Sequence, residues 1–263
     1  MYRGYNICKT AIDSLFESVG YHDIANIDAF YADQKAVVKR NINNILQRIE
    51  KNVLDAEVIQ NEWFPEISAN VFISHSHNDL SLAKVFSGWL LGHYGISSFI
   101  DSCIWGYAND LLKIVDKKYC WDEESKYYSY EKRNYSTGHV HMILMTALSK
   151  MIDKSECIIF LNTPNSNVGE EIKSKTLSPW IYGEIETSRL IEKRFPVRKK
   201  IREFSQGGKI LTESQYLQMK YPLNIGHFYT LSSEELIKWN EFTSSSPQES
   251  LDKLYSITSK KQE

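Results

Sequence analysis

Short apolar runs alternate with helical stripes through the middle of this chain. Asn70 to Ser74 reads NVFIS, rich in β-branched and aromatic residues, the pattern of a buried strand. Leu82, Val85, Phe86, Trp89 and Leu90 then recur at helical spacing, with Asn78 as the expected N-cap, Asp79 in the first turn and Gly95 as the stop. Ile96 to Asp101 (ISSFID) predicts a second strand, and strand–helix–strand over so short a span predicts a parallel pair. Val140, Leu144, Ala147, Leu148 and Met151 form another stripe, followed by a third strand, CIIFLN, from Cys157 to Asn162. Ser178 caps a helix that opens with Pro179, where the missing N–H costs nothing. KILT (Lys209 to Thr212) and HFYTL (His227 to Leu231) are the expected fourth and fifth strands. Ser232 or Ser233 caps a helix through Leu236 and Trp239, and a last amphipathic helix runs near Gln248 to Ile257.

Two regions depart from this rhythm. Residues 1–66 read as helical, with a stripe of Val38, Ile42, Ile45, Leu46, Ile49 and Val53 that needs a surface to lie on. That surface is the following domain or a second copy. Residues 107–137 hold Tyr107, Tyr119, Tyr127, Tyr128, Tyr130 and Tyr135 among many charges and have no clean period. They read as a helical turn and an inserted loop, either a lid or a surface insertion without a role. The expected organisation is an N-terminal helical extension over 1–68 and an α/β domain over 69–263, with a Tyr-rich insertion near 107–137.

Composition narrows the function classes. The 263 residues carry 31 basic and 33 acidic side chains, a net charge of −2, which argues against a general nucleic-acid binder. Hydrophobic residues make up 42% and charged residues 24%, a globular balance. Cys8, Cys103, Cys120 and Cys157 are scattered, a pattern that fits a reduced, cytoplasmic protein better than a disulfide scaffold. The first residues lack an apolar h-region and no run reaches the ~20 apolar residues of a membrane span, so neither secretion nor membrane insertion is expected. His139 and His141 have no third ligand at metal spacing. Walker A, GxGxxG and GxSxG patterns are absent, and Cys157 falls in a predicted buried strand, more core than nucleophile. The basic run around Arg194, Arg198, Lys199, Lys200 and Arg202 is read as a solvated surface or a phosphate patch.

The segment SPWIYGE carries the chemistry. Trp180 and Glu184 are four residues apart, offset by about 40°, and share a helix face. That helix start follows a parallel strand and its loop, where ligands of open α/β sheets bind. A carboxylate there is a candidate catalytic group, and a Glu in an exposed turn behind a packing Trp is the other reading of the same spacing. Four segments in order, VFISHSHND, YGISSFIDS, KSECIIFLNTPNS and SPWIYGEI, resemble those of a Toll/interleukin receptor (TIR) domain, over roughly Ala69 to Ile257. The Tyr-rich stretch is longer than the corresponding TIR loop and helix.

The resemblance implies a flavodoxin-like parallel sheet flanked by helices. It also implies an enzyme that cleaves the nicotinamide–ribose bond of NAD, with the glutamate matching Glu184 as catalytic residue. NAD is the substrate, and no metal or other cofactor is required. The product is ADP-ribose, or a cyclic or conjugated derivative, as in bacterial TIR proteins of antiphage systems such as Thoeris, where it activates a partner effector. Ser74 and His75 end the first strand in the loop that lines the NAD site of relatives, with a surface-loop histidine as the other reading of His75, and Trp105 lies in the loop that covers the nucleotide, where it stacks on a base or packs in the core. Asp101 ends the second strand, where it binds substrate hydroxyls or caps a turn. Trp180 supplies the aromatic wall, and Asn162 ends the third strand as a turn former or a ligand. Self-association through TIR contacts is expected. Some TIR domains act only by assembling partners, so a non-catalytic adaptor or a nucleotide sensor without turnover are the alternatives.

Overall fold

The computed structural model describes residues 1–20, 27–32, 55–105, 108–167, 175–196, 219 and 221–258. The Val38–Val53 stripe, the KILT run and Arg198–Arg202 lie outside the described residues. In chain order the elements used below are β1 (Arg3–Cys8), α1 (Lys9–Val19), α2 (Ala56–Trp63), β2 (Val71–Ser74), α3 (Leu80–Tyr94), β3 (Ser98–Phe99), α4 (Asp101–Ile104), α5 (Ala108–Tyr119), α6 (Tyr130–Lys154), β4 (Cys157–Asn162), β5 (Lys175–Thr176), α7 (Pro179–Leu190), β6 (Tyr221–Pro222), β7 (Tyr229–Leu231), α8 (Ser233–Asn240) and α9 (Pro247–Thr258). The chain divides into two compact units. One comprises Met1–Asp28, Ser68–Ile100 and Met151–Glu263, and the other Ala29–Ile67 and Asp101–Lys150. This division differs from a simple cut at residue 69.

The first unit is an α/β layer structure. Its five-stranded sheet is parallel throughout, in the order β3-β2-β4-β1-β7. β2 leads on to β3 at one edge and β4 leads on to β7 at the other, so the direction of winding reverses between β2 and β4. A separate antiparallel pair joins β5 and β6. Helix ends obey local chemistry. The Ser178 hydroxyl accepts from the Ile181 amide at 3.2 Å, with Pro179 opening α7. Ser232 and Glu235 form a reciprocal capping box on α8. Gly95 stops α3 at φ 66°, a left-handed conformation that a side chain would strain. At the start of α3, Asp79 rather than Asn78 takes the N-cap position, because a 3-10 turn over His77–Asp79 shifts the start by one residue.

The chain's beginning corrects the helical expectation for residues 1–66. Arg3–Cys8 is a strand, hydrogen-bonded between β4 and β7. It is buried on both faces and yet holds Arg3 and Asn6, so it shows neither an apolar run nor an alternation. Gly4 is required there: a Cβ at that position would fall 2.0 Å from the Phe228 ring. β1 thus supplies the strand beside β4 from a part of the chain that reads as helical.

The second unit corrects the loop expected over 107–137. Most of that stretch is helical, in α5 and the first turns of α6, joined by a turn bridged at Trp121 and Tyr128. The helical period is broken by a buried acid. Asp116 is 5% exposed, accepts from the Ser136 hydroxyl at 2.7 Å and pairs with Arg133 at 2.8 Å, tying α5 to α6. Its carboxyl is held below the ordinary range: burial works upward, and is outweighed by hydrogen bonds from Ser136, Arg133 and Cys120. No helix among the described residues is long and apolar enough to cross a membrane.

Candidate active site

Ser74 is the last residue of β2, at the carboxyl end of the sheet beside the reversal of winding. Its hydroxyl donates to Glu184 Oε2 at 2.6 Å. Both residues are buried, Ser74 at 1% and Glu184 at 5% exposure. Glu184 lies in the second turn of α7, on the side that also buries Ile181, Ile185 and Ser188. A carboxylate on this face is removed from water but keeps a hydroxyl donor, as burial demands. Glu186, two residues on, faces elsewhere and pairs with Arg189 and the Asn224 amide.

Strand register extends the site across the sheet. Ser74 and Asn6 both stand opposite Phe160, and Asn6 also stands opposite Thr230. These four side chains therefore share one face, the face on which α7 lies through the Ser74–Glu184 bond. Asn162 follows Phe160 by two residues and shares that face. An amide chain runs along it. Asn167 Nδ2 donates to the Thr163 carbonyl at 3.2 Å and to Asn162 Oδ1, and Asn162 Nδ2 donates to Asn6 Oδ1 at 2.8 Å. A backbone carbonyl can only accept, so the Thr163 carbonyl sets the orientation of all three amides. Asn167 Oδ1, at the head of the chain, is buried and receives no hydrogen bond.

A second cluster crosses the crest between β2 and β4. Asp79 is buried, and its carboxylate accepts from Thr163 Oγ1 and from Asn165 Nδ2, the latter at 2.7 Å. The turn after β4 is thereby pinned to the start of α3. Ser166 closes that turn through the Thr163 amide at 2.9 Å.

The sequence-derived residues distribute unevenly. Ser74 and Glu184 are in direct contact. His75 is half-buried next to Ser74, with Nδ1 3.4 Å from the Ile73 carbonyl. Trp180 is half-buried one helical turn before Glu184. Asn162 is a link in the amide chain, which is more than a turn former. Asp101 and Trp105 belong to the second unit. Asp101 opens α4 and its carbonyl accepts from the Trp105 amide at 2.8 Å. Trp105 is buried, packs edge-to-face on Phe64 at 5.4 Å and donates its indole N–H to the Pro65 carbonyl at 3.1 Å. Those contacts are core packing. Cys157 is fully buried, and burial pushes its thiol far up, as befits a core residue.

Sequence reasoning missed Asn6, Thr163, Asn165 and Asn167, and took Asp79 only as a first-turn acid. The TPNSN run after β4 was a visible signal, since a polar cluster at a strand's carboxyl end can serve a ligand as well as a turn. Asn6 had no such signal. No protein-family model, curated protein or solved structure matches this chain.

Proposed function

We propose that this chain cleaves the nicotinamide–ribose bond of NAD, with Glu184 as the catalytic carboxylate. The observation that carries the reading is the buried Ser74–Glu184 pair at the carboxyl end of β2, where winding of the sheet reverses. The four segments similar to TIR domains support the same reading from the sequence side.

The chemistry needs one well-placed anion. Nicotinamide in NAD is cationic and leaves with the electron pair of the C–N bond, so no acid has to protonate it. Positive charge then develops on the ribose carbon and ring oxygen. A carboxylate in a partly dehydrated site stabilises that charge more strongly than water does. Ser74 holds one oxygen of Glu184 by a charge-assisted hydrogen bond, which fixes the direction of the other. Water then adds to the ribose to give ADP-ribose, or a nucleophile within or outside the nucleotide adds to give a cyclic or conjugated product. A product read by a partner effector, as in antiphage signalling, belongs to this proposal.

The test is incubation of the full chain with NAD and chromatographic detection of free nicotinamide, with mass spectrometry of the second product. Glu184→Gln keeps the size and the Ser74 hydrogen bond, and is expected to lower the rate on the order of 10²–10⁴-fold while the melting temperature holds. Nicotinamide release at the wild-type rate from this variant would refute the assignment.

A further inference from the structure

One amide of the polar network carries an oxygen with no donor. Asn167 Nδ2 uses both of its hydrogens, one on the Thr163 carbonyl at 3.2 Å and one on Asn162 Oδ1. Its own Oδ1 is buried and receives no hydrogen bond from the described residues. Buried polar atoms are paired as a rule, because an acceptor removed from water without a donor costs free energy. Rotating the amide does not remove that cost. It would set Oδ1 against the Thr163 carbonyl and Asn162 Oδ1, oxygen against oxygen. The turn that carries Asn167 is also held: Ser166 bonds the Thr163 amide, and Asp79 accepts from Thr163 and Asn165. The network therefore fixes an acceptor in place and leaves it open to a donor from outside the chain.

Position indicates which donor. Asn167 is bonded to Asn162, which follows Phe160 by two residues on β4, and Phe160 stands opposite Ser74. Strand rise and spacing put Asn162 about 8 Å from Ser74, toward the carboxyl end of the sheet and on the same face. Glu184, bonded to Ser74, serves the ribose carbon. The ribose hydroxyls sit beside that carbon and stay within reach of Glu184. The carboxamide N–H lies across the pyridine ring, and a ring's width plus one hydrogen bond matches the separation. We propose that Asn167 Oδ1 accepts a hydrogen bond from the carboxamide N–H of the substrate, so that the site selects the amide form of the dinucleotide over the nicotinic acid form. This inference rests on the NAD reading of Glu184. The acid form has no N–H to give, and its carboxylate meets an oxygen that the network keeps from turning into a donor.

The test compares NAD with nicotinic acid adenine dinucleotide on the full chain. Wild type should favour NAD in kcat/KM by at least about a hundredfold, because a site built to bond an N–H rejects the analogue that lacks it. This comparison needs no variant. Asn167→Leu keeps the approximate volume and removes the acceptor. It should lower kcat/KM for NAD at least about tenfold, leave the acid form little changed and so bring the two nucleotides close together. A purely structural role would lower both nucleotides in proportion and keep their ratio, which would overturn the inference. Equal wild-type rates on the two nucleotides, with both lost in Glu184→Gln, would also overturn it while leaving the role of Glu184 intact. If wild type releases no nicotinamide, the reading of Glu184 fails and titration calorimetry decides the point about Asn167. Tighter binding of NAD than of the acid form, with the difference lost in Asn167→Leu, would uphold it. Equal binding of the two, or none, would refute it.

Discussion

The two ends of the parallel sheet solve the burial of polar groups in opposite ways. At the amino end, Arg3 is 2% exposed and its guanidinium lies 4.9–5.0 Å from the ring centres of Tyr2, Tyr229 and Tyr255. It donates to the Tyr255 carbonyl at 2.9 Å and to Thr258 at 3.0 Å, at the C-terminal turns of α9 where the helix dipole favours a cation. Just before β7, His227 sits between Ser188 at 2.8 Å and the Asn224 carbonyl at 3.1 Å. Large rings and long side chains fill this end. At the carboxyl end, Ser74 is bonded to Glu184, Asn162 to Asn6, and Asp79 to Thr163 and Asn165, so aromatic packing gives way to hydroxyl, amide and carboxylate groups. The amino end is made to be held, and the carboxyl end presents atoms that can act. Loss of a group should therefore cost stability at one end and turnover at the other.

The sharpest way to break this contrast is Arg3→Met. It keeps the volume but orphans the acceptors of α9, and should destabilise by about 3 kcal/mol, read as the midpoint of urea unfolding. Nicotinamide release by the surviving folded fraction should be unchanged. If Arg3→Met lowers turnover and leaves the midpoint alone, the division between the two ends is wrong.

His227 gives a milder test through pH. Burial, and after it the positive charge of Lys193, pushes the imidazole down to about 4. The unfolded chain binds the proton near pH 6.5, before the folded chain does. Stability from this group is therefore complete above about pH 6.5, falls as pH drops toward 4 and levels off below that, at about 1 kcal/mol per pH unit in between. Thermal melts at pH 7 and pH 5 should differ accordingly, and His227→Gln should narrow the difference. An unchanged gap in that variant would remove His227 as its source. The smallest effect is expected from Ser74→Ala. It leaves Glu184 in place without its hydroxyl donor, and turnover should fall roughly tenfold with a stability loss of about 1 kcal/mol. Equal rates for Ser74→Ala and wild type would show that the Glu184 orientation is set by other contacts.

Legibility in the sequence followed the length scale of the interaction. β2, β4, the Ser178–Pro179 start of α7, the Ser232 cap and the Gly95 stop were all readable, because a buried run, a cap or a left-handed turn is decided by neighbours within a few residues. Glu184 was readable as a candidate by its spacing from Trp180, but its burial and its bond to a residue 110 positions earlier were not. α5 was hidden because Asp116 sits on its buried side, where periodicity expects an apolar residue. β1 was hidden for the same reason, twice over.

The sequence by itself determined the local elements and the type of group available for chemistry. Only the tertiary structure decided that Arg3–Cys8 form a strand between β4 and β7, and that Asn6, Asn162 and Ser74 share the face under Glu184. The physical reason is that a polar residue inside a sheet is stabilised by partners far away in the chain. No period or propensity along the chain records which partners those are until the strands have paired.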